Sequence, residues 1–177
     1  MVSADTIYLA TELVSRGQSG ITHEIFLEKE ILEQQRKNLG RLHNVLAMYE
    51  MFQDGGEARH DSNNILDRWI GVRLNALVTE TTNGYQSYEL DKATRPVTDF
   101  IDDLSVWYLR RSRERLKGED ETDKKLALGT LRYVLKTLAQ VMAPAMPFYA
   151  EYLWQKVKEE NDVVSAHLSE WPAGGEI

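Results

Sequence analysis

"VTDFIDDLSVWYLRRSRERLKG", residues 97–118, sets two patterns end to end. Val97, Phe100, Ile101, Leu104, Trp107 and Tyr108 recur at threes and fours, the spacing that lines one side of a helix. Arg110, Arg111, Arg113, Arg115 and Lys117 follow, with Glu114 the one acid among them. The apolar half is therefore the anchored half, and the basic half projects toward one end of the surrounding structure. Arg110, Arg113, Glu114 and Lys117 fall on one stripe, while Arg111 and Arg115 continue the aromatic side beyond the core. Trp107 and Tyr108, on the apolar period, are expected in the core rather than as base-stacking platforms.

Helical signals continue outward in both directions. Pro96 should start or kink the helix of the opening stretch. Before it, Asp61 or Ser62 is expected to cap a helix that buries Leu66, Trp69, Ile70, Leu74, Leu77 and Val78 and stops at Asn83-Gly84. Earlier still, Thr22 caps a long helix through Leu27, Ile31, Leu39, Leu42, Val45, Leu46, Tyr49 and Phe52, ended by Gly55-Gly56. Gly40 costs that helix about 1 kcal/mol relative to Ala, which predicts a bend or a close helix contact there. A short helix opened by Ser3 and closed by the loop at 17–20 precedes it.

Downstream, the charged connection "KGEDETDKK" (117–125) leads to a helix through Leu126, Leu128, Leu131, Val134, Leu135, Leu138 and Val141. "APAMP" (143–147) breaks it, and Pro147 occupies the first turn of a last helix carrying Phe148, Tyr152, Leu153, Trp154 and Val157. The end, "HLSEWPAGGEI" (167–177), reads as irregular. No sustained period-two alternation occurs anywhere. The expected fold is all-α, a bundle of four to five long amphipathic helices joined by short connections.

Composition bounds the chemistry. The chain has 177 residues, 42% hydrophobic and 28% charged, with mean hydropathy −0.44, an ordinary globular balance. No apolar run approaches the ~20 residues that cross a bilayer, and the N-terminus lacks the order of a signal peptide, so a cytoplasmic protein without a membrane partner is expected. With no cysteine there is no disulfide, thiolate nucleophile or cysteine-bound zinc. His23, His43, His60 and His167 stand at no helical metal-site spacing, so no metal is expected. Nor is there a G-x-G-x-x-G, P-loop, G-x-S-x-G or H-E-x-x-H motif, and no catalytic residue is assigned. Asp102 and Asp103 point about 100° apart on a helix and are expected to pair with arginines, Asp103 being the better placed to stabilise the bundle.

A net charge of −7 argues against indiscriminate nucleic-acid binding. It permits a local basic site, since potential is set within a Debye length of ~8 Å. Arginine suits phosphate through its planar, permanently charged fork. The competing use of the cluster is to neutralise Asp99, Asp102, Asp103 and Glu114, and residue types alone leave both uses open.

Four stretches carry a resemblance. "DRWIGVRLNAL" (67–77), "YELDKATRPVTDFIDDLSVWYLRRSRER" (88–115), "VMAPAMPFYAEYLW" (141–154) and "SAHLSEWP" (165–172) follow one another in the order and spacing of one family. Together they resemble the anticodon-binding helical bundle of class I aminoacyl-tRNA synthetases of the isoleucyl, valyl, leucyl and methionyl group. The D-D-L-S-x-W-Y-x-R-R-S-R wording is most similar to the isoleucyl enzymes. The alternatives are the same domain of a valyl or leucyl enzyme, or a helical protein-interaction module.

The resemblance implies an organisation and a task. Residues 1–21 would be a connection from a catalytic domain, 22–160 the anticodon-binding bundle, and 161–177 an irregular segment clasped to it through His167 and Trp171. The catalytic signatures of such ligases do not occur in this sequence, so the chain reads as an inactive fragment without a cofactor of its own. ATP with Mg belongs to the parent isoleucine–tRNA ligase. The implied partner is tRNA, bound by a monomer. Arg110, Arg111, Arg113 and Arg115 are the candidate phosphate contacts, with an internal strut as the alternative role for Arg111. On "QQRKNLGRLHNVLAMYEMF" (34–52), the resemblance turns Asn44 toward the anticodon loop, with Arg41, Arg36 and Lys37 on neighbouring turns. Trp69, Arg73, Glu151 and Trp154 are expected to serve packing and internal pairing.

Overall fold

The computed structural model describes residues 28–53 and 56–173, with side chains from residue 36 onward. The helix expected after Ser3, the 17–20 loop, the Thr22 cap, Leu27, the side chain of Ile31, the stop at Gly55 and the last residues of the tail lie outside the described residues. The chain divides into two compact units, Met1–Gly40 and Arg41–Ile177. In the first, the described part is helical, with Arg36 and Lys37 exposed on it.

Among the described residues there is no strand. The elements are α1 (Glu28–Phe52), α2 (Ile65–Gln86), α3 (Leu90–Asp102), a π-helical segment π1 (Asp103–Leu109), α4 (Arg110–Lys117), α5 (Glu121–Met142), α6 (Pro147–Val157) and a 3-10 turn at Ala166–Leu168. α3, π1 and α4 run on without interruption as one rod. The all-α bundle expected from the apolar spacing is what forms.

Local chemistry sets the helix starts. Asn64 caps α2, its side-chain oxygen accepting from the Leu66 amide at 3.0 Å. The two residues expected in that role are engaged elsewhere: Ser62 donates to Asp67 at 2.6 Å and Asp61 pairs with Arg59. Asp120 caps α5 by accepting from the amides of Thr122 and Asp123. Most of "KGEDETDKK" is therefore helix rather than connection, Lys117 ending α4 and residues 121–125 opening α5. Pro147 opens α6 as expected, whereas Pro96 lies inside α3 instead of at its start.

The glycines correct two expectations. α2 does not stop at Asn83-Gly84 but continues to Gln86, and Tyr88 makes the turn with φ 59°. Gly84 is buried, and a Cβ there would stand 2.5 Å from the amide nitrogen of Ala93. It is glycine because α3 crosses α2 at that point. Gly40, by contrast, has nothing within 4 Å of a Cβ position among the described residues, so no close contact there accounts for it.

The core gathers Leu42, Val45 and Leu46 of α1, Ile70 and Leu74 of α2, Phe100, Ile101 and Leu104 of the rod, Leu131, Val134, Leu135 and Leu138 of α5, and Leu153 and Trp154 of α6. Each such side chain contributes about 1.5–3 kcal/mol of burial. Arg132 closes the end of α6, donating from Nε to the Val157 carbonyl and from Nη2 to the Lys158 carbonyl, both at 2.8 Å, and from Nη1 to the Gly56 carbonyl. Carbonyls that the helix end leaves without partners are thereby satisfied. The segment after α6 returns to the bundle. Glu151 accepts from Ser165 Oγ at 2.8 Å and from the Ala166 amide at 2.9 Å. Trp171 donates to Thr82 Oγ1 at 2.8 Å and meets Tyr85 edge-on.

These contacts define two poles. The start of α2, the end of α4 and the start of α5 share one, joined through Asp67, Arg115 and Asp123. The end of α2, the start of α3 and Trp171 lie at the other.

Candidate nucleic-acid interface

π1 decides which side chains the basic helix presents. An uninterrupted α-helix would carry the apolar side from Leu104 through Trp107 and Tyr108 to Arg111 and Arg115. A π turn winds more residues per revolution, and from the last turn of π1 onward the buried stripe runs through Tyr108, Ser112 and Leu116, each 1% exposed. Trp107, expected in the core, is turned out to 37% exposure, and Arg111 is exposed with it. Tyr108 stays inside, donating to Asp67 at 2.7 Å.

Trp107 packs against Trp69 with ring centroids 4.3 Å apart. The Arg111 guanidinium carbon lies 4.6 Å from the Trp107 ring centroid. The two residues thus form an i, i+4 pair in which an aromatic face holds a cation. Arg111 is a surface group and not the internal strut that was its alternative role.

Arg115 takes that role instead, and leaves the set of phosphate candidates. Its Nη1 and Nη2 stand 2.8 and 2.9 Å from the two carboxylate oxygens of Asp67. Nε and Nη2 bond Asp123 at 2.8 and 2.7 Å. The side chain is 12% exposed and Asp67 is 1% exposed, so the fork is committed where solvent scarcely reaches. Burial would lower the Arg115 pKa, but hydrogen bonds to Asp67 and Asp123 override it and raise the value above normal. The same bond holds the Asp123 carboxyl below its ordinary range. Burial, with the Asp67 charge adding to it, pushes the Tyr108 hydroxyl well up and keeps it a neutral donor.

Arg110, Arg113 and Lys117 are exposed and make no ion pair among the described residues. Two of the four acids that might have neutralised the cluster are taken: Asp103 bonds Arg73 Nε at 2.7 Å and Asp102 bonds Arg41. Asp99 and Glu114 are exposed and unpaired among the described residues. A chain with excess acid therefore keeps a free basic face on α4, at the end of the rod. Arg110, Arg113 and Lys117 lie on one side of it at three- and four-residue spacing.

The α1 candidates divide. Arg41 is tied by its ion pair to the junction of α3 and π1 and is 25% exposed. Asn44, three residues on and on the same face, is exposed. Arg36 and Lys37, exposed, belong to the first unit. Among the described residues no group of three or more His, Cys, Asp or Glu side chains could hold a metal ion. His60 packs its ring on Tyr133 and His167 sits by the Pro147 carbonyl. Two features were missed in the sequence: Asp67 as the shared acceptor of Ser62, Tyr108 and Arg115, and the stack of half-buried Trp69 with exposed Trp107 and Arg111. The signal available was Ser112 and Leu116, which continue the Tyr108 side at intervals of four.

A family profile described as the anticodon-binding domain of tRNA ligase matches residues 67–176. The isoleucine–tRNA ligase of Clostridium acetobutylicum is 37% identical over 157 residues, covering 83% of this chain and 15% of its own length. That of Chlamydia trachomatis serovar D is 37% identical over 153 residues with the same coverage. The enzyme of Clostridium novyi (strain NT) is 34% identical over 157 residues. The chain thus spans about 15% of the length of the curated relatives it matches.

Proposed function

Because the chain belongs to the anticodon-binding domain family of tRNA ligases, we propose that it binds the anticodon stem-loop of a tRNA, that of isoleucine, through the basic face of α4. The observation that carries this reading is the free state of Arg110 and Arg113. Ion pairs engage Arg41, Arg73 and Arg115 in the same molecule, yet these two face solvent without an acid among the described residues. Their forks position the RNA backbone, while unpaired bases supply specificity. Asn44, with an amide that pairs with base edges, is the base-reading candidate, and Arg41 stands beside it.

In this reading the chain contributes binding energy and not chemistry. Joining isoleucine to tRNA, with ATP and Mg²⁺, is the work of the whole ligase. This chain takes no cofactor, acts as a monomer and works in the cytoplasm beside its RNA. Among the described residues no helix is long and apolar enough to cross a membrane.

Electrophoretic titration of an isoleucine anticodon stem-loop and an unrelated stem-loop, at several salt concentrations, tests the proposal. Affinity should fall log-linearly with salt, with a slope of about −0.7 to −0.9 per phosphate engaged. Arg110→Ala and Arg113→Ala should each flatten it by about one such unit. Equal affinity for both stem-loops, or a slope that neither substitution changes, would refute it.

A further inference from the structure

We propose that Arg111, held over the Trp107 ring, is a stacking platform for one unpaired nucleobase of the bound RNA. The inference rests on the tRNA-binding reading and adds to it a site for a base beside the site for the backbone. Three observations combine. Trp107 is 37% exposed, and it is turned out by a seven-residue π segment. Such segments are rare and recur at functional sites. Trp69 braces it from α2 at 4.3 Å, so the ring is fixed rather than adrift. Arg111 lies 4.6 Å from the ring centroid and makes no ion pair among the described residues, so its guanidinium is held by the indole and not by a carboxylate.

A guanidinium plane stacks on a base as readily as an aromatic ring does, and cation–π attraction to Trp107 orders it beforehand. Ordering before binding removes part of the entropy cost that a free arginine would meet. Arg110 precedes Arg111 and Arg113 follows two residues later, so a base on the platform leaves its own phosphates within the reach of the backbone contacts already assigned. Unpaired bases in RNA loops are bound on such planes. Because every base has a π face, the platform recognises that a nucleotide is unstacked and not which base it is.

The experiment uses the whole 177-residue chain and a hairpin RNA with a seven-nucleotide loop, alongside the same hairpin with abasic loop positions. Arg111→Lys keeps the charge and removes the plane. It should weaken binding of the intact loop about tenfold to a hundredfold, leave the salt slope unchanged and barely alter binding of the abasic loop. Trp107→Phe should retain most of the affinity, and Trp107→Ala should match Arg111→Lys. Thermal unfolding of each variant verifies that the bundle is intact. Equal losses with intact and abasic loops would assign Arg111 to phosphate, or to an acidic partner, and overturn the proposal. So would wild-type affinity in Arg111→Lys. Failure of wild-type protein to bind either hairpin in a salt-dependent way overturns the tRNA-binding reading as well, which separates the two failures.

Discussion

Arg115 and Asp67, on different helices, meet fork to fork, with Nη1 2.8 Å from Oδ1 and Nη2 2.9 Å from Oδ2. Asp67 also accepts from Tyr108 and Ser62, and Arg115 also binds Asp123, so one buried cluster ties α2, α4 and α5 at the basic pole. Removing one partner strands the other charge out of water. Arg115→Ala should therefore cost about 3–5 kcal/mol of stability. Urea unfolding at neutral pH checks this, with a lowered midpoint and a retained slope. A loss under ~1 kcal/mol would mean that the pair is solvated enough to be dispensable.

Gly84 supplies a second structural prediction. Its Cβ position would stand 2.5, 2.7 and 2.9 Å from the N, Cα and Cβ of Ala93. Two of those atoms are backbone, which cannot rotate away. Gly84→Ala must part α2 from α3 or shift their register, costing about 1–3 kcal/mol, although alanine is the better helix former. A thermal melt that rises instead would show that α2 and α3 do not cross so closely.

The bundle was legible because periodicity reports which side of a helix is buried, and among the described residues every element on that signal formed. The ends were less legible. Asn64 rather than Asp61 or Ser62 caps α2, since the choice among adjacent polar residues depends on what else they can bond, and Ser62 has Asp67. The basic face was read correctly in its existence and only partly in its membership. Counting at 3.6 residues per turn placed Trp107 in the core and ran Arg111 and Arg115 along the same side beyond it. One π segment, which no local propensity announces, turns Trp107 and Arg111 out, while Arg115 is held in by Asp67 and Asp123. Likewise, the ion pairs of Arg41 and Arg115 are made with acids of other helices, which spacing along one helix does not reveal.

Asn44 is the sharpest test of base reading. It is exposed on α1 and stands one turn from Arg41, whose own guanidinium is held by Asp102. Asn44→Ala should leave the fold and the salt slope as they are and reduce the preference for the isoleucine anticodon stem-loop by about tenfold, the scale of ~1–3 kcal/mol per bidentate base contact. Paired titrations of two stem-loops that differ only in the anticodon measure it. Unchanged discrimination would remove Asn44 from the site.

The pH dependence of stability should be a plateau with two limbs of different origin. Asp123 is held low by its bond to Arg115. For Glu159 and Asp162, burial would raise the pKa, but hydrogen bonds from Lys136 prevail and depress both. A carboxyl with a depressed folded pKa adds stability above its unfolded value of about 4, and that stability is lost as pH falls through the folded value. The acid limb should therefore begin near pH 4. On the other side, burial raises the Tyr149 hydroxyl to about 12, and Tyr108 is raised too. A group with a raised folded pKa contributes fully below its unfolded value of about 10 and loses that contribution as pH climbs toward the folded one. Tyr149 separates the limbs experimentally, because its hydroxyl is buried without a hydrogen-bond partner among the described residues. Tyr149→Phe should be neutral or stabilising at pH 7, shift the alkaline limb upward and leave the acid limb in place. Urea midpoints measured from pH 3 to 11 on both proteins decide it, and an acid limb that moves with Tyr149→Phe would contradict the assignment.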